Sequence, residues 1–421
     1  MTISKTATSA TSATSATSAT SAPPRAEPSD PAAGLVRRLD WRRIPAWVQA
    51  LLLFAASRAL FTFAAHRAAD LARPHPDGRH WRYLEIANNW DGTWYRRIAV
   101  EGYPPVLPVD STGQVAPNTW AFYPLFPRTV SAVMRVTGLD WTPAATGVSL
   151  IAGAVAVVVI RNVLARVVGS RTAMWGVAFL CFFPAAPVLQ LPYSESLALL
   201  LIALTIWCLQ RGKYLFVVPV LLALGLARPV AVPMAAVLGV HLLRELRVVR
   251  RLPRAAWRSL LGPAVACGAA AVAAVEWPLL AWRGTGVPDA YTLTMAAWRT
   301  PRQVVPVRPW IQFSQYLLGA AVGPVVLVAT LGGLAWWVAR GGPRVLGPDL
   351  VAWCAFYLAY LVVVLDSFTS LPRYLLPMFP LGALLASTSS SRAFRVAVTV
   401  SFAVGGVLWM MIVWRSRIWA P

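Results

Sequence analysis

The run Trp90-Asp91-Gly92-Thr93-Trp94-Tyr95 sets one carboxylate among aromatic rings in a stretch that is otherwise polar. A solvent-facing aspartate is ionised at neutral pH and can take a proton from a hydroxyl, which is general-base chemistry. The flanking indoles suit a membrane boundary, because each ring has an apolar body and a polar handle. The same pattern fits a plainer role, with Asp91 as the N-cap of an interfacial helix. Further on stand Glu101, the triplet Tyr193-Ser194-Glu195, Arg228 between two apolar half-runs, and Arg373 in a Pro372-Arg373-Tyr374 turn after Asp366. Ionisable groups at membrane depth are costly and face a cavity or a partner, so these are site candidates. Each also has a structural reading: Arg228 paired with Glu195, Glu195 capping its own helix, and Arg373 as an interfacial anchor. Arg58 and Glu276, inside apolar runs, read as packing partners.

These residues need a scaffold, and composition names it. The chain has 421 residues, is 57% hydrophobic, carries 20 Trp and has a mean hydropathy of +0.59. Apolar runs recur along it, which predicts an all-α polytopic integral membrane protein. The formal net charge is +22, from 38 basic and 16 acidic residues. Because Lys and Arg punctuate the apolar runs, topology and anionic lipid account for them, and nucleic acid is not expected as a partner. The four cysteines lie inside apolar segments without zinc-like spacing and read as small hydrophobes.

Residues 1–36 are low complexity, with a repeated Ala-Thr-Ser unit and then a Pro-rich stretch, and are expected to be a disordered cytoplasmic tail without the apolar core of a signal peptide. Residues 37–421 form the expected transmembrane domain. Arg37, Arg38, Arg42 and Arg43 precede the first apolar run, Pro45 to Ala65, which places the N-terminus in the cytoplasm. The first outer loop then covers about residues 66–141. Ala121 to Val136, interrupted by Pro124, Pro127, Arg128 and Arg135, is expected as a helix in the outer interface. Further spans are read at Pro143–Val168, Thr172–Leu191, Tyr193–Leu209, the pair Tyr214–Ala227 and Val230–Leu243, Leu260–Trp282, Trp310–Val338, Leu350–Leu365, Leu375–Leu385 and Phe394–Trp414. That makes about eleven spans. Arg244 to Arg258 is the main cytoplasmic basic cluster, and residues 283–308 form a second outer loop with few acids.

The chain holds no phosphate-binding glycine loop, dinucleotide fingerprint or zinc-type histidine pair. A serine triad would need His75 or His80, and no nucleophile-elbow sequence supports one. Residue types alone leave an outward-facing enzyme on a lipid-linked substrate, a transporter, or a membrane scaffold.

The motifs themselves narrow this. Trp90-Asp91-Gly92-Thr93-Trp94-Tyr95, continuing through Ile98-Ala99 to Gly102-Tyr103, resembles the first-loop motif of PIG-V-type mannosyltransferases in the GT-C superfamily. Ala121-Phe122-Tyr123-Pro124-Leu125-Phe126-Pro127 is similar to that family's second motif. Pro192-Tyr193-Ser194-Glu195-Ser196-Leu197, Ala227-Arg228-Pro229 and Arg373-Tyr374-Leu375-Leu376-Pro377 follow in the family's order, so the resemblance covers residues 45–390. It implies a GT-C-like fold, polyprenyl-phosphate mannose as donor substrate, inverting transfer on the extracytoplasmic side, and Asp91 as catalytic base. Arg228 and Arg373 would hold the donor phosphate, since a guanidinium fork matches phosphate geometry. Trp90, Trp94, Tyr95, Glu101, Tyr193 and Glu195 are then the candidate substrate-binding residues, with no metal and no cofactor expected. Eukaryotic members carry His in place of Trp94 and an acid nearer the second motif, so the acceptor does not transfer: a glycolipid, a lipoglycan, a protein or a polysaccharide stays open. Usage rich in Ala, Arg, Val and Pro suits a high-GC bacterium. The rival reading is a transporter or flippase for a lipid-linked sugar, which does not account for the aromatic outer loop and its central acid; no obvious inverted repeat is present.

Overall fold

Long apolar runs become helices, broken at some of the Pro and Gly residues that punctuate them. The computed structural model describes residues 43–72, 78, 81–299, 301–365 and 369–416; the expected disordered tail, Arg37, Arg38, Arg42, His75, Asp77, His80, Asp366 and Ser367 lie outside them. Among the described residues all regular structure is helical, and strand-type pairing is limited to one bridge between Val109 and Val115. The chain from Pro45 onward forms one compact unit.

The first apolar run becomes α1 (Ala46–Leu71), whose 26 residues span about 39 Å, enough for a bilayer core of about 30 Å. It extends past Ala65, so the outer loop starts later than the sequence predicts. Within that segment lie α2 (Tyr83–Ala87), α3 (Asp91–Glu101) and the amphipathic α4 (Leu125–Thr137), the last helical over most of the expected Ala121–Val136 stretch. The 42-residue α5 (Trp141–Phe182) is broken at Gly169, whose φ of 76° and ψ of 162° no helix accommodates. The chain folds back there: a Cβ on Gly176 would stand 3.1 Å from Leu164 Cδ1, whereas a straight helix would hold those residues about 18 Å apart. The first arm corresponds to the expected Pro143–Val168 span; the second ends at Phe182, so the expected Thr172–Leu191 span is helical only to that point and continues as a separate short 3-10 turn, Ala186–Gln190.

Next come α6 (Glu195–Leu209), α7 (Tyr214–Gly225), α8 (Ala231–Val249), α9 (Leu261–Thr285) and the short α10 (Ala290–Ala297). The remainder is α11 (Arg308–Leu318), α12 (Val322–Val345), α13 (Pro348–Val364), α14 (Leu371–Tyr374), α15 (Phe379–Ser387) and α16 (Arg392–Ser416). Among the described residues five helices, α1, α5, α9, α12 and α16, are long and apolar enough to cross a membrane, while α6, α7 and α13 are apolar but shorter. Two of the expected spans take a different form. Trp310–Val338 is not one helix but the α11–α12 pair, and α15, with 9 residues, is only about 14 Å long.

The core is centred on α5, which packs against α1, α4, α6, α15 and α16 and buries Ile160, Val163, Leu164 and Phe179. Arg58 is buried there as a structural partner. Its guanidinium donates to the carbonyls of Ala186 (2.6 Å) and Cys181 (3.0 Å), which close the second arm of α5. Glu276 of α9 packs against Gly225 of α7.

Candidate active site

Four segments far apart in sequence meet at one place, and each lies where a helix starts or breaks. Trp90 enters α3 with φ 55° and ψ −114°, a conformation that costs a residue other than glycine of order 1–3 kcal/mol. It leaves Asp91 not at the cap but as the first helical residue, where a negative charge faces the positive end of the helix dipole. A side chain at Gly92 would bring a Cβ 3.1 Å from Asn88 Oδ1 and 3.6 Å from Pro192 Cβ, so its absence lets the α3 start dock against the entry to α6. Glu195 opens α6 after Pro184, Pro187 and Pro192 have broken the preceding run. Arg228 lies in the α7–α8 turn, where Pro229 has no N–H to continue the helix. Arg373 sits in α14, with Pro372 in its first turn.

The four charged side chains form one chain of contacts. Arg373 Nη1 donates to Asp91 Oδ2 at 2.6 Å and approaches Glu195 Oε1 at 3.4 Å. Arg228 Nη1 lies 2.7 Å from the same Glu195 oxygen, too poorly aligned for a hydrogen bond, and donates to Ser194 Oγ at 3.3 Å. Ser194 Oγ is in turn 2.7 Å from the Tyr95 hydroxyl. Arg373 stands over the rings of Tyr193 and Tyr374, and Arg228 over Tyr374. Two guanidinium groups balance two carboxylates, leaving the cluster neutral. Glu195 and Arg373 are 6% exposed, Arg228 12% and Asp91 18%, so Asp91 is the most open of the four.

Three of them border a cavity of about 290 Å³. Asp91, Arg228 and Arg373 line it, whereas Glu195 stands behind the arginines and reaches only a second void the size of one water. Glu195 thus holds both arginines from behind while they face the cavity. Val230, Leu361, Val364 and Leu365 give it an apolar side. Among the described lining residues six are tyrosines: Tyr95, Tyr123, Tyr291, Tyr357, Tyr360 and Tyr374. Burial pushes the Tyr95 phenol above its ordinary range, so this hydroxyl stays neutral and acts as a hydrogen-bonding group.

Among the other sequence candidates, Tyr95 is buried on the cavity wall, and Tyr193 is buried with its hydroxyl donating to the Asn89 carbonyl at 3.0 Å. Trp94 lies one step back, stacked on Phe122 at 5.7 Å, and Trp90 packs against the main core. Glu101 is not brought to the cavity. It is exposed at the end of α3 and pairs with Arg97 at 3.0 Å, a contact between adjacent helical turns. Among the described residues no three His, Cys, Asp or Glu side chains gather to form a metal site.

Sequence reasoning missed two contributors. Tyr291, Met295 and Trp298, in and just after α10, and Tyr357, Tyr360 and Leu361 on α13, all line the cavity. Both sets follow helical spacing (Tyr291, Met295 and Trp298; Tyr357, Leu361 and Val364), which is the signal that marks a shared face.

No protein-family model matches the chain, and no curated protein matches it. Among solved structures it is similar to the crystal structure of ArnT from Cupriavidus metallidurans bound to undecaprenyl phosphate, at 15% identity and a TM-score of 0.49, over 86% of this chain and 75% of that one. It is also similar to an Archaeoglobus fulgidus oligosaccharyltransferase tethered with an acceptor peptide, and to the oligosaccharyltransferase AglB of that organism in complex with an inhibitory peptide and a dolichol-phosphate. Both matches have 12% identity, a TM-score of 0.44 and cover 86% of this chain. The chain spans little more than half the length of these two oligosaccharyltransferases, 55% and 56%.

Proposed function

We propose that this chain is a membrane glycosyltransferase of the PIG-V type, within the GT-C superfamily, which moves mannose from polyprenyl-phosphate mannose to an extracytoplasmic acceptor with inversion. The observation that supports it is the cavity in which an accessible Asp91 shares one end with Arg228 and Arg373. The arginines hold the donor phosphate with their backs fixed by Glu195. The acceptor hydroxyl attacks the anomeric carbon as its proton passes to the Asp91 carboxylate. The bond from that carbon to the phosphate oxygen breaks, and its electron pair stays on the polyprenyl phosphate. That leaving group departs as a stable anion between two guanidinium groups, so no general acid is needed. Retention would call for a second carboxylate placed as nucleophile in the cavity, and Glu195 does not line it.

The test is incubation of the purified protein with labelled polyprenyl-phosphate sugars and membrane lipid extracts. The expected result is release of polyprenyl phosphate together with label in a new product, greatest with the mannosyl donor. Movement of intact donor across vesicle membranes without cleavage would establish the transporter instead, and inertness towards every donor would refute the enzyme.

A further inference from the structure

The cavity has a third side that the transfer chemistry above leaves unassigned. Its polar end belongs to Asp91, Arg228 and Arg373, and its aliphatic side is built by Val230 and the α13 residues. The remaining wall joins Phe122 to Tyr291, Met295 and Trp298. This wall is continuous with the helix that bears Asp91. Tyr95, one turn on from Asp91, meets Phe122 edge-on at 5.4 Å, and Phe122 meets Trp298 edge-on at 5.6 Å. Trp94 backs both, stacked on Phe122 and edge-on to Trp298 at 4.9 Å, so the Trp298 ring is fixed in orientation. Trp298 is still 38% exposed, which leaves ring surface for a ligand. Among the described residues that line it, this wall presents aromatic surface, one thioether and the Tyr291 hydroxyl.

From this we infer that the α10 wall is the acceptor subsite and that the acceptor presents a neutral pyranoside ring to Trp298. The inference rests on the transferase reading given above. A pyranose offers a face of C–H groups, weakly positive, which suits the electron-rich face of an indole. A peptide acceptor would look for side-chain amide partners, and the described lining residues of this wall include none. A ring resting on Phe122 and Trp298 lies along the surface that leads to Asp91, so one of its hydroxyls reaches the base while the donor occupies the arginine end. A cavity of about 290 Å³ sits at the lower edge of ordinary ligand sites, so it takes sugar rings and a phosphate but not the lipid chains.

Two measurements test this. In the first, transfer from polyprenyl-phosphate mannose is followed with octyl α-D-mannopyranoside and with an acetylated serine-containing hexapeptide as acceptors. The glycoside is expected to be used and the peptide not. Trp298→Ala is expected to raise the glycoside KM about tenfold, and by at least fivefold more than it raises the donor KM. Trp298→Phe should recover most of that loss. Preference for the peptide, equal rises in both KM values, or a Phe variant no better than Ala overturns the inference while leaving the transferase intact. The second measurement needs no turnover. Saturation-transfer NMR of methyl α-D-mannopyranoside with the protein in nanodiscs should show contact through ring C–H protons, lost in Trp298→Ala. Equal signals from the two proteins, or none from the wild type, refute the subsite whatever the fate of the enzyme reading.

Discussion

Replacing Asp91 by Asn separates the contact this carboxylate makes with Arg373 from the base role proposed for it. The amide keeps an acceptor oxygen for Arg373 Nη1, now 2.6 Å from Asp91 Oδ2, so the α3 start should stay docked against α14. Lost are the capacity to take a proton and one negative charge. Loss of a general base costs on the order of 10²- to 10⁴-fold in rate, or about 2.7–5.4 kcal/mol in barrier. The charge change acts in the opposite sense on the donor. The four-residue cluster goes from neutral to +1, with Arg373 sharing only Glu195 at 3.4 Å, so a phosphate should bind more tightly. The expectation is therefore a split: turnover falls by at least 10²-fold while donor affinity holds or rises. Turnover of labelled polyprenyl-phosphate mannose, equilibrium donor binding and a thermal melt of the purified variant read the three quantities separately. Glu101→Gln is the control, because Glu101 pairs with Arg97 on the exposed side of α3, and its turnover should stay within threefold of wild type. Near-normal turnover in Asp91→Asn refutes the assignment. So does a loss of donor binding as large as the loss of rate, which would make Asp91 a fixture of the arginine cluster instead of a base.

Arg228→Lys and Arg373→Lys keep the charge but not the two-pronged donor; each should accumulate normally and raise donor KM about tenfold, and unchanged donor dependence in both would make them structural. Arg58→Leu strips hydrogen bonds from the buried carbonyls of Ala186 and Cys181, so it should cost about 2–5 kcal/mol in stability, visible as a lowered melting temperature; a melt matching wild type would contradict the role. Asp110 lies in the loop after α3, where the Thr112 hydroxyl, the backbone N–H groups of Thr112 and Gln114, and then Arg302 hold its carboxyl below the usual range. A depressed folded-state pKa adds stability above the unfolded value near ~3.9 that disappears as pH falls through the lower folded value. Protease cleavage between residues 105 and 116 should thus be slow at neutral pH, rise below about pH 4, and be fast at every pH in Asp110→Asn; a variant as resistant as wild type at neutral pH would refute the tie. Thr112→Cys, exposed in the same loop, should react with an impermeant thiol reagent on intact cells, and labelling only after lysis would reverse the topology.

The residues at the polar end of the cavity were legible because helix breakers advertise them. Pro192, Pro229 and Pro372 stop or start helices beside Glu195, Arg228 and Arg373, and Gly92 lets the α3 start close on them. What the chain order could not say is who pairs with whom: Arg373 is held by Asp91, 282 positions away, and Glu195 serves both arginines. The Glu101 contact was readable, since Arg97 and Glu101 stand one helical turn apart and satisfy each other locally. Span bounds were misread where apolar composition runs unbroken through a reversal, as between α11 and α12, because hydropathy records burial and not direction. The α10 wall failed for a related reason. Tyr291, Met295 and Trp298 form a readable stripe, but a stripe says only that a face is covered, not what covers it. The answer lies in contacts across the fold: Asn118 Nδ2 donates to Thr294 Oγ1 at 3.1 Å across 176 positions, and Tyr123 meets Tyr291 hydroxyl to hydroxyl at 3.2 Å. Those contacts bind residues 283–308 to the segment between α1 and α5, and by doing so set the α10 wall on the cavity that Asp91 also lines.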